Sequence, residues 1–237
     1  CLWDNKLKKA TLGRDRFGVK PLYYSSFNDN SFIFASEMKA ITPFLNEISP
    51  SENIEKHLSK VFDYEYTNFS VIEGIKRIFP GHYAIYQDKY FKEYQYWNTL
   101  DNINFNNNNY QSQVDEWRDL FLDSVKLRMR SDVKISSTLS GGLDSSSVVA
   151  AMKYLDREYN PIQQNCSETF CSSYGKSDLD ETNWAKKLSN SLSINFNEVK
   201  INPKDSDFTL LDSLAIVEDP YISLPHQIRD PSIGLKR

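Results

Sequence analysis

Residues 140–146 read Ser-Gly-Gly-Leu-Asp-Ser-Ser, and this stretch decides the fold of the second half of the chain. It follows an alternating apolar run that ends at Leu139 and precedes a helical pattern rich in valine and alanine. The order predicts a strand, a glycine turn and a helix. Two glycines let the backbone approach a ligand closely, and the unpaired amides at a helix start favour an anion. The turn is therefore predicted to bind an anion.

Asp144 indicates which kind of anion the turn binds. A bare carboxylate repels phosphate, so this residue fits the turn only if Mg²⁺ accompanies the phosphate and the carboxylate binds the metal. Ser145 adds a hydroxyl that can donate to phosphate oxygens. The Gly-Lys-Ser/Thr of a P-loop does not follow. The structural alternative is a tight turn in which Asp144 and Ser145 cap the helix, and the sequence favours magnesium-nucleotide binding over it.

Size and charge exclude several classes of protein. The 237 residues suffice for one large or two small domains. The net charge of −4 comes without a basic block, so nucleic acid is not the favoured partner. No apolar run approaches the roughly 20 residues of a membrane span, and the start lacks a signal-peptide pattern. Three cysteines are too few for a disulfide framework and indicate a reducing compartment, and hence a cytoplasmic protein.

Strand and helix patterns alternate from residue 133 onward, after a helix predicted over 114–129. The predicted strands cover 133–139, 169–172 and 196–200, and the predicted helices cover 144–157, 181–192 and 207–216. Alternation of this kind predicts an α/β domain with a doubly wound parallel sheet. Such sheets bind ligands at the carboxyl ends of their strands, where the glycine turn lies.

The first hundred residues have a different pattern of predicted secondary structure. Short β-rich runs near residues 2–3, 10–12, 22–24 and 32–34, and a later pair at 83–86 and 90–96, predict an antiparallel meander. Helices are predicted over 36–41, capped by Ser36, and over 52–63. The asparagine-rich stretch that follows has no core pattern and is predicted to be a linker. The expected domains are therefore an α+β part over 1–98, a linker over 99–113 and the α/β part over 114–237.

Four stretches carry a resemblance to a known family. The glycine turn resembles the pyrophosphate loop of ATP pyrophosphatases that activate a carbonyl as an acyl-adenylate, and residues 131–147 resemble the glutamine-hydrolysing asparagine synthetases. The strings RDRFGVKPLYY at 14–24, SEMKA at 36–40 and FPGHY at 79–83 are similar to that family at matching places. By its residues alone, the first string predicts only a structural turn held by ion pairs. The resemblance implies the last part of a glutamine amidotransferase domain of the N-terminal-nucleophile (Ntn) type, followed by a synthetase domain.

The resemblance also implies a reaction. Glutamine would supply ammonia, ATP would adenylate the side-chain carboxylate of aspartate, and ammonia would displace AMP. It admits a homodimer. It assigns the binding of ATP and pyrophosphate to Leu139, Ser140, Gly141, Gly142, Leu143, Asp144, Ser145 and Ser172. Asp144 would hold Mg²⁺, while Glu218 and Asp219 would line the substrate pocket or help to order Mg²⁺. Ordinary packing is the alternative for Leu139 and Ser172, and helix termination before Pro220 is the alternative for the acidic pair.

Two expected catalytic features do not appear in the sequence. Cys1 is not the glutaminase nucleophile, because it directly precedes the arginine-aspartate string and the family separates the two widely. The family's second loop, Ser-Gly-x-Gly-x-Asp-Glu, does not occur. No catalytic residue is therefore assigned, and the chain is expected to be an inactive fragment cut at both ends. Two alternatives remain open, namely a related amide-forming cyclase (β-lactam synthetase or lasso-peptide cyclase type) and a non-catalytic regulatory protein with the same fold.

Overall fold

The computed structural model divides the chain into two compact units. Unit 1 comprises Cys1–Asn104 and Phe208–Gln227, and unit 2 comprises Phe105–Asp207 and Ile228–Arg237. The residues that the structure describes are 1–27, 31–52, 54–55, 67–103, 105, 108–158, 166–173, 175, 180–200 and 218. Most of the predicted helix at 52–63 and all of the one at 207–216 lie outside these residues. None of the described helices is both long and apolar enough to cross a membrane.

The described residues of unit 1 form two antiparallel sheets. Its strands are β1 (Leu2–Asp4), β2 (Lys9–Gly13), β3 (Tyr23–Ser26), β4 (Phe32–Ala35), β5 (Lys76–Arg77), β6 (His82–Gln87) and β7 (Tyr90–Gln95). The sheets have the orders β1-β2-β6-β7 and β4-β3-β5. The antiparallel prediction is confirmed, but the simple meander is wrong, because β2 pairs with β6 and places Leu12 opposite Ala84. Alternation along a strand determines which side chains are buried and does not identify the partner strand.

Aromatic side chains fill the core of unit 1. The ring of Tyr24 stacks on Phe91 with centroids 4.4 Å apart, and Phe32 stacks on Tyr86 at 4.6 Å. Burial, together with the negative charge of Glu93, raises the pKa of Tyr24 to about 12. The phenol therefore stays neutral at physiological pH and contributes to the core as a largely apolar ring.

The described residues of unit 2 form a three-stranded parallel sheet and three helices. The elements are α1 (Tyr110–Arg128), β8 (Ile135–Thr138), α2 (Leu143–Glu158), β9 (Cys166–Ser173), α3 (Thr182–Leu192) and β10 (Asn195–Lys200). The strand order is β10-β9-β8, and both pairs are parallel. The predicted alternation and the parallel sheet are confirmed over these elements, and double winding stays a prediction.

Helix α2 is buried on two sides, which fixes the turn that precedes it. Val149 packs with Leu139 and Ala185 in the core beside the sheet, whereas Met152 and Leu155 pack with Val125 of α1 in a second cluster. Val148, Met152 and Leu155 recur at spacings of three and four residues and therefore share one face. Val149 follows Val148 directly and is turned by about 100° around the helix, toward the other cluster. Toward its N-terminus α1 is exposed, and Trp117, which stacks on Phe121 of the same helix, is 64% exposed.

Two predicted helix starts are corrected. Ser36 does not cap a helix, because the segment forms only a 3₁₀ turn, Met38–Ala40, whose N-cap position is Glu37. Helix α1 begins at Tyr110, within the predicted linker, since the side chain of Asn109 accepts a hydrogen bond from the backbone N–H of Ser112 at 3.0 Å. Asparagine is a strong N-cap residue, so the last residue of the asparagine run begins the helix.

Candidate functional site

The glycine turn begins at the carboxyl end of β8. Leu139 is 1% exposed, and its backbone N–H donates to the carbonyl oxygen of Phe170 in β9 at 2.8 Å. Its side chain lies in the core with Val149 and Cys171. A ligand can therefore meet only the backbone of Leu139, and the predicted role of this residue stays a prediction.

Gly141 holds the turn against α3. Its φ is +89°, and a Cβ built on it would lie 2.7 Å from the Cβ of Trp184 and 2.9 Å from the backbone nitrogen of Ala185. Side chains other than hydrogen disfavour such a φ, and backbone at this distance cannot move away cheaply. At Gly142 the nearest atom to an added Cβ is the Oγ of Ser140, at 3.3 Å. The first glycine is thus required by both conformation and space, and the second is required by neither.

Two serine hydroxyls close the turn internally. The N–H of Ser140 donates to the Oγ of Ser145 at 3.2 Å, and the two hydroxyl oxygens are 3.0 Å apart. The N–H of Gly142 donates to the Oγ of Ser140 at 3.2 Å. The proton of Ser145 is directed to Ser140 or to the carbonyl of Gly142, 3.4 Å away. Donation from Ser145 to a phosphate stays a prediction and requires this internal bond to be exchanged.

The start of α2 leaves backbone donors available. The first bond of the helix runs from the N–H of Ser146 to the carbonyl of Gly142 at 3.1 Å. Within the part of the chain that the structure describes, the amides of Leu143, Asp144 and Ser145 have no acceptor. Leu143 is 82% exposed, and Asp144 is exposed as well. Three amides and the positive end of the helix dipole thus form a surface suited to an anion.

Asp144 suits a magnesium ion that arrives with a phosphate. Its exposed carboxylate belongs to the same helical turn as the available amides. Among the described residues, no group of three acidic, histidine or cysteine side chains could hold a metal ion on its own. Mg²⁺ in phosphate sites is bound by one or two carboxylates together with the phosphate oxygens and water. The donor set fits Mg²⁺ as part of a nucleotide complex.

Ser172 lies near the carboxyl end of β9, the strand that pairs with β8. It is half-buried and faces Val199 of β10 in the register of the sheet. The next residue, Ser173, donates its hydroxyl to the carboxylate of Asp180 at 2.9 Å, and that carboxylate accepts the N–H of Thr182 at 2.9 Å. Asp180 therefore serves the start of α3, as its place in the sequence indicates. The bond from Ser173 has no signal in the sequence, because the two residues are seven positions apart.

The acidic pair near residue 218 is not grouped with the glycine turn. Glu218 belongs to unit 1, whereas the turn belongs to unit 2. The carboxylate of Glu218 accepts hydrogen bonds from the backbone N–H groups of Met38 and Lys39. Asp219 lies outside the described residues. The substrate-pocket role of both stays a prediction.

The arginine-aspartate string forms a structural turn, as predicted, and the bonds that hold it run from side chains to backbone. The guanidinium of Arg14 donates to the carbonyls of Ile78, Gly18 and Lys20 at 2.6, 3.0 and 3.0 Å. The carboxylate of Asp15 accepts the N–H groups of Phe17, Val19 and Lys20. Burial would raise the pKa of Asp15, but these amides and the Arg14 charge together lower it.

Two family models match the chain. A glutamine amidotransferase domain matches residues 1–97, and an asparagine synthase domain matches residues 116–226. The glycine turn lies in the second match, and the Arg14 turn lies in the first.

Several curated proteins are similar over most of this chain. Putative asparagine synthetase (glutamine-hydrolyzing) 2 of Methanocaldococcus jannaschii is 34% identical over 158 residues, which are 65% of this chain and 30% of that protein. Asparagine synthetase (glutamine-hydrolyzing) 1 of Bacillus subtilis is 32% identical over 212 residues, 86% of this chain and 30% of that protein. Amidase chyE of Penicillium rubens is 28% identical over 211 residues, 85% of this chain and 31% of that protein. The chain thus spans less than a third of the length of these relatives.

Proposed function

The chain belongs to the glutamine-hydrolysing asparagine synthetase family, and we propose that its unit 2 binds Mg²⁺-ATP for the synthesis of an amide. In the proposed reaction a carboxylate oxygen of aspartate attacks the α-phosphorus of ATP, and the bond to pyrophosphate breaks. Ammonia released from glutamine then attacks the acyl carbon, and AMP leaves. The observation that carries the proposal is the turn at 140–142, with three available amides after it.

The turn would act on the departing pyrophosphate. Negative charge grows on that group as its bond to the α-phosphorus breaks, and donors already in place stabilise it without reorganisation. Gly141 brings the backbone close, and the amides of Leu143, Asp144 and Ser145 donate. Asp144 would hold Mg²⁺, which as a Lewis acid polarises phosphate oxygens when bound.

The adenine would lie beside the neighbouring strand. The carboxyl ends of β8 and β9 are adjacent, since the N–H of Leu139 donates to the carbonyl of Phe170. Ser172, two residues beyond Phe170, would offer backbone groups to the base. A substrate pocket that includes Glu218 and Asp219, a homodimer and a cytoplasmic location are further parts of the proposal.

Isothermal titration of the chain with Mg²⁺-ATP tests the proposal. Asp144→Asn is expected to weaken the binding of Mg²⁺-ATP by about tenfold or more, because a charged metal ligand is lost. It should change the binding of metal-free pyrophosphate much less, since the backbone amides remain. The matched control is Asp123→Asn, which removes an exposed carboxylate from α1 and should behave as the wild type.

Two results would refute the proposed role of the turn. One is a correctly folded wild-type chain, checked by circular dichroism, that shows no heat with Mg²⁺-ATP, which would support the non-catalytic alternative. The other is an Asp144→Asn variant that binds Mg²⁺-ATP as tightly as the control.

A second candidate function retains the adenylation step but uses another amine in place of ammonia, or another carboxylic acid in place of aspartate. Two similar fungal proteins carry the name amidase rather than asparagine synthetase, at 28% and 29% identity. Titration of aspartate into the chain saturated with Mg²⁺-ATP separates the two candidates. Heat from aspartate favours asparagine synthesis, and heat only from another carboxylic acid favours the second candidate.

A further inference from the structure

Trp184 lies beside the glycine turn, in the first turn of α3. A Cβ built on Gly141 would lie 2.7 Å from the Cβ of Trp184. Only the base of this side chain makes the contact, since Trp184 is 65% exposed. Its indole ring is therefore an open surface next to the backbone that the proposed function places against pyrophosphate.

A lysine side chain lies over this ring. The Nζ of Lys187 is 4.6 Å from the centroid of the Trp184 ring. Residues three apart are neighbours on one face of a helix, and the π-electrons of an indole attract a cation placed above its face. The ammonium group is therefore held on the part of α3 that packs against the turn.

The charge of Lys187 has no acidic neighbour on its own helix face. The residues three and four positions away in α3 are Asn183, Trp184, Asn190 and Ser191. Within the part of the chain that the structure describes, Lys187 forms no ion pair, and it is exposed. Its positive charge is therefore available to an anion.

The glycine turn lacks a cation of its own. Residues 139–147 include no lysine or arginine, whereas pyrophosphate carries several negative charges. The amides and the helix dipole supply only partial positive charge, and Asp144 adds a negative charge that a bound metal has to offset. Lysine is a common partner of phosphate groups in proteins. A cation from outside the turn would complete the site.

We propose that Lys187, positioned by the ring of Trp184, binds the pyrophosphate part of ATP together with the glycine turn. This role rests on the proposed function and extends the nucleotide site from α2 to α3. Lys187 is then a phosphate-binding residue, and Trp184 is a positioning residue that acts through it. The family resemblance assigns a role to neither of them.

Isothermal titration with Mg²⁺-ATP tests the role of Lys187. Lys187→Gln is expected to weaken binding by about threefold or more, since a charge-assisted contact is lost. The matched control is Lys186→Gln, which removes the same charge from the same helix on a face about 200° away from Trp184. The difference between the two variants should shrink in about 0.5 M salt, because salt screens exposed charges.

Trp184→Leu tests the positioning by the ring. Leucine keeps the Cβ that contacts the turn and removes the ring beneath the ammonium group. In this background Lys187→Gln should weaken the binding of Mg²⁺-ATP less than it does in the wild type, because the lysine no longer has a fixed position. An equal loss of affinity in both backgrounds would overturn the positioning role of Trp184.

Two results would overturn the role of Lys187 and leave the proposed function standing. One is a wild-type chain that binds Mg²⁺-ATP while Lys187→Gln and Lys186→Gln bind it equally well. The other is a loss of affinity in Lys187→Gln that added salt does not reduce, because such a loss would come from packing and not from charge. A wild-type chain that is folded by circular dichroism and does not bind Mg²⁺-ATP would instead refute both the proposed function and the role of Lys187.

Discussion

Replacement of Gly141 by alanine tests the geometry of the glycine turn most directly. The new Cβ would have to occupy a backbone conformation with φ near +89° and would meet Trp184 at 2.7 Å and the backbone of Ala185 at 2.9 Å. The left-handed conformation costs a residue with a Cβ roughly 1–2 kcal/mol. Overpacking against a rigid element adds about 1–3 kcal/mol. The free energy of unfolding of unit 2 is therefore expected to fall by about 2–5 kcal/mol.

The neighbouring glycine provides the control. An added Cβ at Gly142 would approach only the Oγ of Ser140, at 3.3 Å, and φ there is not positive. A flexible hydroxyl can move by a few tenths of an ångström, so Gly142→Ala is expected to cost less than about 1 kcal/mol.

Urea denaturation followed by circular dichroism measures both variants, and titration with Mg²⁺-ATP follows on each folded protein. The turn can also relieve the clash by moving away from α3, in which case stability is kept and Mg²⁺-ATP affinity falls. A Gly141→Ala variant that matches Gly142→Ala in both stability and affinity would refute the packing described for the turn.

Two further predictions concern titratable groups of unit 1. The pKa of Asp15 is lowered in the folded protein, so its carboxylate stabilises the fold fully above pH 3.8, the ordinary pKa of the group. This stabilisation is lost as the pH falls through the lower pKa of the folded state. Asp15→Asn should lower the free energy of unfolding by about 1 kcal/mol or less at pH 7, because its hydrogen bonds are exposed to solvent. It should also flatten the dependence of that free energy on pH in the acid range, and an unchanged acid profile would contradict this. For Tyr24 the dependence of stability on pH has the opposite sign, because the pKa of Tyr24 is raised to about 12 from 10.0. The stabilisation by Tyr24 is complete below pH 10 and is lost as pH rises toward 12. Urea midpoints at pH 8, 10 and 11.5 should show this loss of stability in the wild type. The control Tyr90→Phe, which alters an exposed ring, should show the same loss. A similar loss in Tyr24→Phe would exclude Tyr24 as its source.

The local features of unit 2 could be predicted from the sequence. Helix α2 begins at Leu143, one residue before the predicted start, and the strands on either side of it run parallel as expected. A glycine pair between an apolar run and a helical pattern is a local signal. The contact of Gly141 with Trp184 was not predictable, because it depends on how α3 packs.

The features that sequence analysis missed are mostly long-range. The pairing of β2 with β6 depends on chain reversal over about seventy intervening residues, which no short pattern encodes. The turn Met38–Ala40 receives its acceptor from Glu218, so no nearby cap such as Ser36 was needed. The start of α1 is a different case, since Asn109 is a local cap signal obscured by the other asparagines around it.

The bond between the N–H of Ser140 and the hydroxyl of Ser145 gives the glycine turn its shape before any ligand arrives. The conformational entropy of the turn is then lost during folding rather than during complex formation. Association with an anion should accordingly be rapid and accompanied by little change in backbone order. Because of the bond between these two serines, calorimetry of anion binding should be dominated by the release of bound water and counterions. Ordering of the protein should contribute little.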